Sequence, residues 1–185
     1  RSRQPGYGIS VDPRHLFLTA GASQGLDLAC TLYAPAGSTV VVEEPTYFVI
    51  EKIFRDRNLN VVGVPTDSQG MLVAELEKLL LEGLKPALVY IIPTFQNPTG
   101  LCLSNDRRIQ LISLANKFDF HILADEVYQL IYFEDLPPKP LLAFDQGNRV
   151  ISFGSFSKIL APGLRAGWIH AAPEIIKKFS DAAIT

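Results

Sequence analysis

The sequence predicts an α/β domain in which a mostly parallel sheet carries helices on both faces. Short apolar runs alternate with longer segments whose apolar residues recur at helical spacing, and this alternation is typical of βαβ units. The chain has 185 residues, of which 48% are hydrophobic, and this is enough for one domain with a sizeable core. We therefore expect one three-layer domain.

The order of the elements follows from the apolar pattern and from Pro and Gly at its breaks. We expect 1–14 to be a connector, in which Tyr7 and Gly8 are candidates for contact with a ligand or partner, and 15–185 to form the domain. Strands are predicted at 16–19, 39–42, 60–64, 87–92, 120–124, 150–153 and 165–170. Helices are predicted after the turn at 20–25, at 48–57, 73–81 and 104–118, and from 173 onwards. The buried face of the helix at 104–118 is expected to consist of Ile109, Leu111, Ile112, Leu114 and Ala115.

The composition excludes several classes of partner. The net charge is −2, with 17 basic and 19 acidic residues well mixed, so no surface is predicted for nucleic acid or an anionic membrane. Cys30 and Cys102 lack metal-ligand or CxxC spacing, which fits reduced, buried thiols, and the three scattered histidines make a metal site improbable. No apolar run reaches the roughly 20 residues of a membrane span. We expect a soluble, cytoplasmic protein that acts on small metabolites.

The turn at 20–25 is a candidate anion site. A strand, a turn of small residues and a helix place free N–H groups at the start of the helix, and Ser23 adds a hydroxyl. The alternative is that the turn only packs the helix on the sheet.

Two further loops carry candidate ligand-binding side chains. Tyr47 follows a strand, where its ring can stack on a planar ligand, although a tyrosine at a helix start is more often a packing residue. Asn97 lies between Pro93 and Pro98 in a loop after an apolar strand. Because the prolines restrict this loop, the amide is aimed with little freedom and can donate to an oxygen held over the sheet edge.

A carboxylate and an amine follow the strands predicted at 120–124 and 150–153. Asp125 ends a buried strand, so it is partly desolvated and requires a cationic or N–H partner, unless it only caps the next turn. Lys158 follows Ser155 and Ser157 in a tight loop, with Arg165 seven positions later. An amine beside two hydroxyls and a guanidinium suits a phosphorylated carbonyl compound, held as a Schiff base, unless this is an ordinary basic surface loop.

These loops converge on the carboxyl edge of one sheet, where open α/β folds bind ligands. Pyridoxal 5′-phosphate (PLP) requires an amine for its aldehyde, a carboxylate for its ring nitrogen, donors to its phenolate oxygen, a stacking ring and a phosphate site. Each requirement has a candidate in this sequence, so the sequence predicts PLP as the cofactor.

Four motifs carry a resemblance to a known family. They are Gly21–Gly25, Asn97–Gly100, Asp125–Tyr128, and Ser155–Lys158 with Arg165. In this order and spacing they resemble the class I/II, fold-type I, PLP-dependent aminotransferases. The similarity covers the chain from about residue 5 and is greatest to the branch with aminoadipate/kynurenine-type enzymes and the aminotransferase-like domains of bacterial regulators.

The resemblance implies a role for each site residue. Lys158 would form the Schiff base, Asp125 would pair with the pyridine nitrogen, and Asn97 and Tyr128 would hydrogen-bond the phenolate oxygen. Tyr47 would stack on the ring. The phosphate would be held by Ala22, Ser23, Gln24, Ser155, Ser157 and Arg165.

The resemblance also implies what these residues do not include. Family members have an N-terminal segment and a C-terminal small domain, which supplies an arginine for the substrate α-carboxylate, and their sites are completed in a homodimer. We therefore expect this chain to be the cofactor-binding large domain of an aminotransferase acting on an amino acid and a 2-oxo acid. The alternatives are a ligand-sensing domain of a transcription regulator and a PLP-dependent lyase.

Overall fold

An eight-stranded sheet forms the centre of the part of the chain that the structure, a computed structural model, describes, residues 11–133 and 135–183. Its strands are β1 Leu16–Thr19, β2 Thr39–Glu44, β3 Asn60–Asp67, β4 Gly70–Met71, β5 Pro86–Ile91, β6 His121–Asp125, β7 Val150–Ser155 and β8 Gly167–His170, in the spatial order β1-β8-β7-β6-β5-β2-β3-β4. The five strands from β7 to β3 are parallel, and the pairings of β1, β8 and β4 are antiparallel. This confirms the predicted mostly parallel sheet.

Helices cover both faces of the sheet. They are α1 Ala22–Tyr33, α2 Phe48–Asp56, α3 Val73–Leu81, α4 Asn105–Phe118 and α5 Pro173–Ala182. Side chains alternate along the strands between two buried clusters: in β2, Val40 and Val42 join one cluster and Val41 joins the other. The first cluster packs against α1, α2 and α5 and the second against α3 and α4. Both faces are therefore apolar, and the domain has the three expected layers.

All the predicted elements occur. Some of their ends differ from the prediction, and one short hairpin was not predicted. The strand predicted at 165–170 is β8, which begins at Gly167 because Arg165 has a left-handed backbone with φ of 48°. The hairpin of β3 and β4 was not predicted; its turn is at Ser68 and Gln69, and Gly70, whose φ is 89°, begins β4. The predicted contacts of Tyr7 and Gly8 lie outside the described residues.

The predicted buried face of α4 is confirmed for Leu111, Ile112, Leu114 and Ala115 but was wrong for Ile109. Ile109 in α4 is 56% exposed, whereas Arg108 is fully buried. The buried stripe runs through Arg108, Leu111, Ile112 and Ala115, which is regular helical spacing, so Ile109 falls beside the stripe. The sequence pattern misled because it treats a charged residue as exposed.

The described residues contain neither a membrane-spanning helix nor a metal-binding cluster. No helix within 11–133 and 135–183 is long and apolar enough to cross a membrane. In the same ranges, no cluster of His, Cys, Asp and Glu could hold a metal ion. Cys30 is buried as expected, but Cys102 is only partly buried.

Candidate active site

A cavity of about 380 Å³ lies at the carboxyl edge of the parallel strands. Its volume is in the range typical of small-molecule sites. Of the predicted ligand-contacting residues that the structure describes, all but Gln24 line this cavity: they are Ala22 and Ser23 at the start of α1, Tyr47 before α2, Asn97 after β5, Asp125 and Tyr128 at and after the end of β6, and Ser155, Ser157, Lys158 and Arg165 around the end of β7. The lining also includes Ile92, Val127 and Pro162, which were not predicted.

One end of the cavity is rich in hydroxyl and N–H donors. The Ser155 and Ser157 hydroxyls are 2.9 Å apart, and the Ser157 amide donates to Ser155 Oγ at 3.1 Å. Arg165 Nη2 donates to the carbonyl of Ala20 at 3.0 Å, so the guanidinium lies against the turn that precedes α1. The N-terminus of α1, which carries Ser23, has no side-chain cap at Gly21. Hydroxyls, a guanidinium and free helix N–H groups together suit a dianion such as phosphate.

Gly21 makes the approach of Arg165 possible. Its φ is 91°, and a Cβ built there would lie 2.8 Å from Arg165 Nη2. Any other residue would therefore be strained and would displace the guanidinium. Gln24 does not line the cavity; its side-chain oxygen accepts the N–H of Ala20 at 2.6 Å and so closes the turn.

Asp125 is held from two sides at the end of β6. Its Oδ2 accepts the Tyr90 hydroxyl at 2.8 Å, and its Oδ1 accepts the Val127 amide at 3.4 Å. Burial raises the pKa of Asp125, whereas these two hydrogen bonds and the charge of Lys158 act to lower it. Asp125 thus has the N–H partner that the sequence predicts, together with a hydroxyl partner that it does not.

Lys158 is exposed in the turn after β7 and lines the same cavity as Asp125. Its Nζ is 6.0 Å from the centroid of the Tyr128 ring. Tyr128 in turn accepts a long hydrogen bond, 3.4 Å, from the side-chain amide of Asn97. A cavity with an amine, a carboxylate and this amide–phenol pair can bind a polar, planar, anionic molecule and move protons on it.

A buried arginine braces the loop that carries Asn97. Arg108 Nε donates to the carbonyl of Leu103 at 2.8 Å, and its Nη2 contacts the carbonyl of Pro93 and the Thr94 hydroxyl, the latter at 3.0 Å. The guanidinium therefore joins the two ends of the loop that aims Asn97 at the cavity.

Sequence reasoning missed Arg108 and Tyr90. For Tyr90 a signal existed, because a tyrosine inside an apolar strand buries a hydroxyl that requires a partner. Arg108 gave no comparable signal, since it lies among other polar residues at the start of a helix.

Comparison with known proteins places this chain in a family. A family model described as aminotransferase class I and II matches residues 3–183. The aromatic-amino-acid aminotransferase 1 of Thermococcus litoralis is 41% identical over 180 residues, which cover 95% of this chain and 43% of that protein. The HTH-type transcriptional regulator YdfD of Bacillus subtilis is 32% identical over 175 residues, which cover 94% of this chain and 36% of the regulator.

A solved structure agrees with the sequence relatives. It is LysN, an α-aminoadipate aminotransferase of Thermus thermophilus complexed with N-(5′-phosphopyridoxyl)-L-leucine, with a TM-score of 0.85 and 34% identity over 94% of this chain and 45% of that one. The chain spans less than half the length of these relatives. The fold and the match across residues 3–183 show that the chain belongs to the class I and II aminotransferases.

Proposed function

We propose that the protein is a PLP-dependent aminotransferase that transfers an amino group from an amino acid to a 2-oxo acid, and that this chain is its cofactor-binding portion. The observation that carries the proposal is that Lys158 and Asp125 line one cavity, together with the donors around Arg165. An aminotransferase requires an amine and a carboxylate at the two reactive positions of one cofactor.

The residues present fit PLP. Gly21 leaves room for the Arg165 guanidinium beside the start of α1, where a Cβ would intrude, and the two serine hydroxyls lie near by. This group would hold the phosphate. The amine of Lys158 suits the aldehyde, and the carboxyl group of Asp125 suits the ring nitrogen. Asn97 and Tyr128 would donate to the phenolate oxygen, and the half-buried ring of Tyr47 would lie against the cofactor ring.

The chain's own groups supply the binding and the proton transfer. Bound PLP supplies an electron sink that makes the Cα–H of an amino acid acidic. Lys158 would hold the aldehyde carbon of the cofactor, and its amine, once released by the substrate's amino group, would be the base for the proton on Cα. Asp125 would favour a proton on the ring nitrogen, because a carboxylate favours a protonated partner.

Reductive trapping tests the proposal. The full-length protein is incubated with PLP, reduced with borohydride and digested, and the labelled peptide is identified. We expect label on Lys158 alone, and no label in Lys158→Ala, which should also lose the half-reaction with amino acids. Label that is absent, or scattered over many lysines, would overturn the cofactor assignment.

The second candidate function is ligand sensing in a transcription regulator. The observation in its favour is the similarity to YdfD, an HTH-type regulator. In that case the same pocket binds PLP, and its occupancy changes DNA binding. A basic winged-helix segment encoded upstream of Arg1, with no transfer of amino groups to 2-oxo acids, would favour the regulator over the enzyme.

We also propose that the full-length protein is a homodimer. In support, an apolar strip lies on the β1–β8 edge of the sheet: Leu18 is 79% exposed and pairs with Trp168, whose ring lies 5.1 Å from that of Phe156. Exposed apolar strips of this kind mark association surfaces. Sedimentation should give a dimer for the wild type and a smaller species for Leu18→Lys; a monomeric wild type would refute this.

A further inference from the structure

We propose that Tyr90 is a positioning residue of the active site: its hydroxyl donates to one oxygen of Asp125, which favours the carboxylate form and leaves the other oxygen available to the cavity. This inference rests on the function proposed above. Tyr90 does not line the cavity and so acts only through Asp125.

The strand register places Tyr90 under Asp125. Tyr90 in β5 is paired with Leu123 in the parallel strand β6, and Asp125 is two residues further along β6. Because side chains alternate between the faces of a sheet, Leu123 and Asp125 point to the same face, which the Tyr90 side chain shares. The tyrosine therefore extends along the sheet towards the site, and its hydroxyl reaches Asp125 Oδ2 at 2.8 Å.

The core fixes the tyrosine in this orientation. Tyr90 is completely buried, and the Phe54 ring packs edge-on against it with the centroids 5.9 Å apart. A hydroxyl without access to water must use a protein partner, since leaving it unpaired is costly. The hydrogen bond to Asp125 satisfies this requirement.

The two oxygens of Asp125 are held unequally. Oδ2 accepts the short bond from Tyr90, whereas Oδ1 accepts a longer one, 3.4 Å, from the Val127 amide. Oδ1 thus retains capacity to accept a ligand N–H. Burial, together with Asp125, raises the pKa of Tyr90 well above its ordinary value of 10, so the hydroxyl remains a donor across the working pH range.

Removal of the Tyr90 hydroxyl should change how the proton is shared between Asp125 and the nitrogen of the cofactor ring. In Tyr90→Phe the carboxylate loses its best donor and becomes more basic, so it competes better for the proton on the ring nitrogen. A cofactor ring whose nitrogen is less fully protonated is a weaker electron sink. Since hydrogen bonds to charged groups are the strong ones, we expect kcat to fall by between about tenfold and a hundredfold, with little change in KM.

The experiment uses the full-length protein loaded with ¹⁵N-labelled PLP. The ¹⁵N chemical shift of the ring nitrogen reports its protonation without any turnover. Tyr90→Phe should move the signal towards the unprotonated value. The matched control is Tyr33→Phe: Tyr33 packs on the same buried cluster, but its hydroxyl has no hydrogen-bond partner among the described residues and lies away from Asp125. The control should leave both the signal and kcat unchanged.

The outcomes separate this proposal from the proposed function. If the wild type does not bind labelled PLP, the proposed function fails. If Tyr90→Phe binds PLP with a fully protonated ring nitrogen and wild-type kcat, the role of Tyr90 is overturned. Should Tyr90→Phe not fold, a ring-fluorinated tyrosine at position 90 keeps the packing and makes a stronger donor. The ring nitrogen must then become more fully protonated, and an unchanged signal refutes the proposal.

Discussion

The buried carboxyl of Glu43 should make the stability of this protein depend on pH. Glu43 lies near the end of β2 and is 2% exposed. Its Oε2 accepts the amide of Ile92 at 2.9 Å, and Gln96 also hydrogen-bonds the carboxyl. Burial outweighs these bonds and the charge of Arg108, and it raises the pKa of Glu43 from 4.5 to about 8. Glu43 is therefore protonated in the folded protein at neutral pH.

The sign and size of the effect follow from this pKa. Between about 4.5 and about 8 the folded state holds a proton that the unfolded state has released, so stability falls as the pH rises. The stabilisation is fully present below 4.5 and is lost as the pH approaches about 8. At about 1.4 kcal/mol for each pH unit, the loss is on the order of 5 kcal/mol. Glu43→Gln has a similar shape but does not ionise, so it escapes this loss.

The assay is urea unfolding of the full-length wild type and Glu43→Gln at about pH 5 and about pH 8.5. The difference in free energy of unfolding between the two proteins should shift by several kcal/mol in favour of the glutamine variant at the higher pH. Other titrating groups occur in both proteins and cancel. Glu44→Gln, at the exposed neighbouring position, should show no such shift. An equal difference at both pH values for Glu43→Gln would refute the reasoning.

Three further predictions concern packing and the phosphate end of the cavity. Arg108→Met removes the donors to several buried carbonyls and should cost about 3–5 kcal/mol in urea unfolding. Gly154→Ala places a methyl group 2.1 Å from the Trp168 ring, so it should cost about 1–3 kcal/mol and change the fluorescence of the chain's single tryptophan. Gly21→Ala displaces Arg165 and should weaken PLP binding by about tenfold, while pyridoxal without phosphate is affected less.

The sequence predicts the order of elements well because each central strand is apolar on both faces. Val40 and Val41 pack into different clusters, yet both are valine, so such a run is easily recognised as a buried parallel strand. The sequence also predicts that Asp125 and Lys158 lie near each other, because both follow parallel strands whose carboxyl ends meet at one edge of the sheet. The contact between Tyr90 and Asp125 could not be predicted, because it depends on β5 lying beside β6 in one register.

The two carboxyl groups at the ends of β2 and β6 differ in their hydrogen-bond partners and in the charges near them. Asp125 has a donor on each oxygen and the Lys158 amine nearby, whereas Glu43 has amide donors. Burial raises the pKa of both groups; the charge of Lys158 acts to lower the pKa of Asp125, whereas Glu43 keeps a proton below a pH of about 8. Since the charge of Glu43 also acts on Tyr90, a protonated Glu43 spares the Tyr90–Asp125 pair a second buried negative charge. The same burial that costs stability at high pH thus keeps Glu43 uncharged near the Tyr90–Asp125 pair at neutral pH.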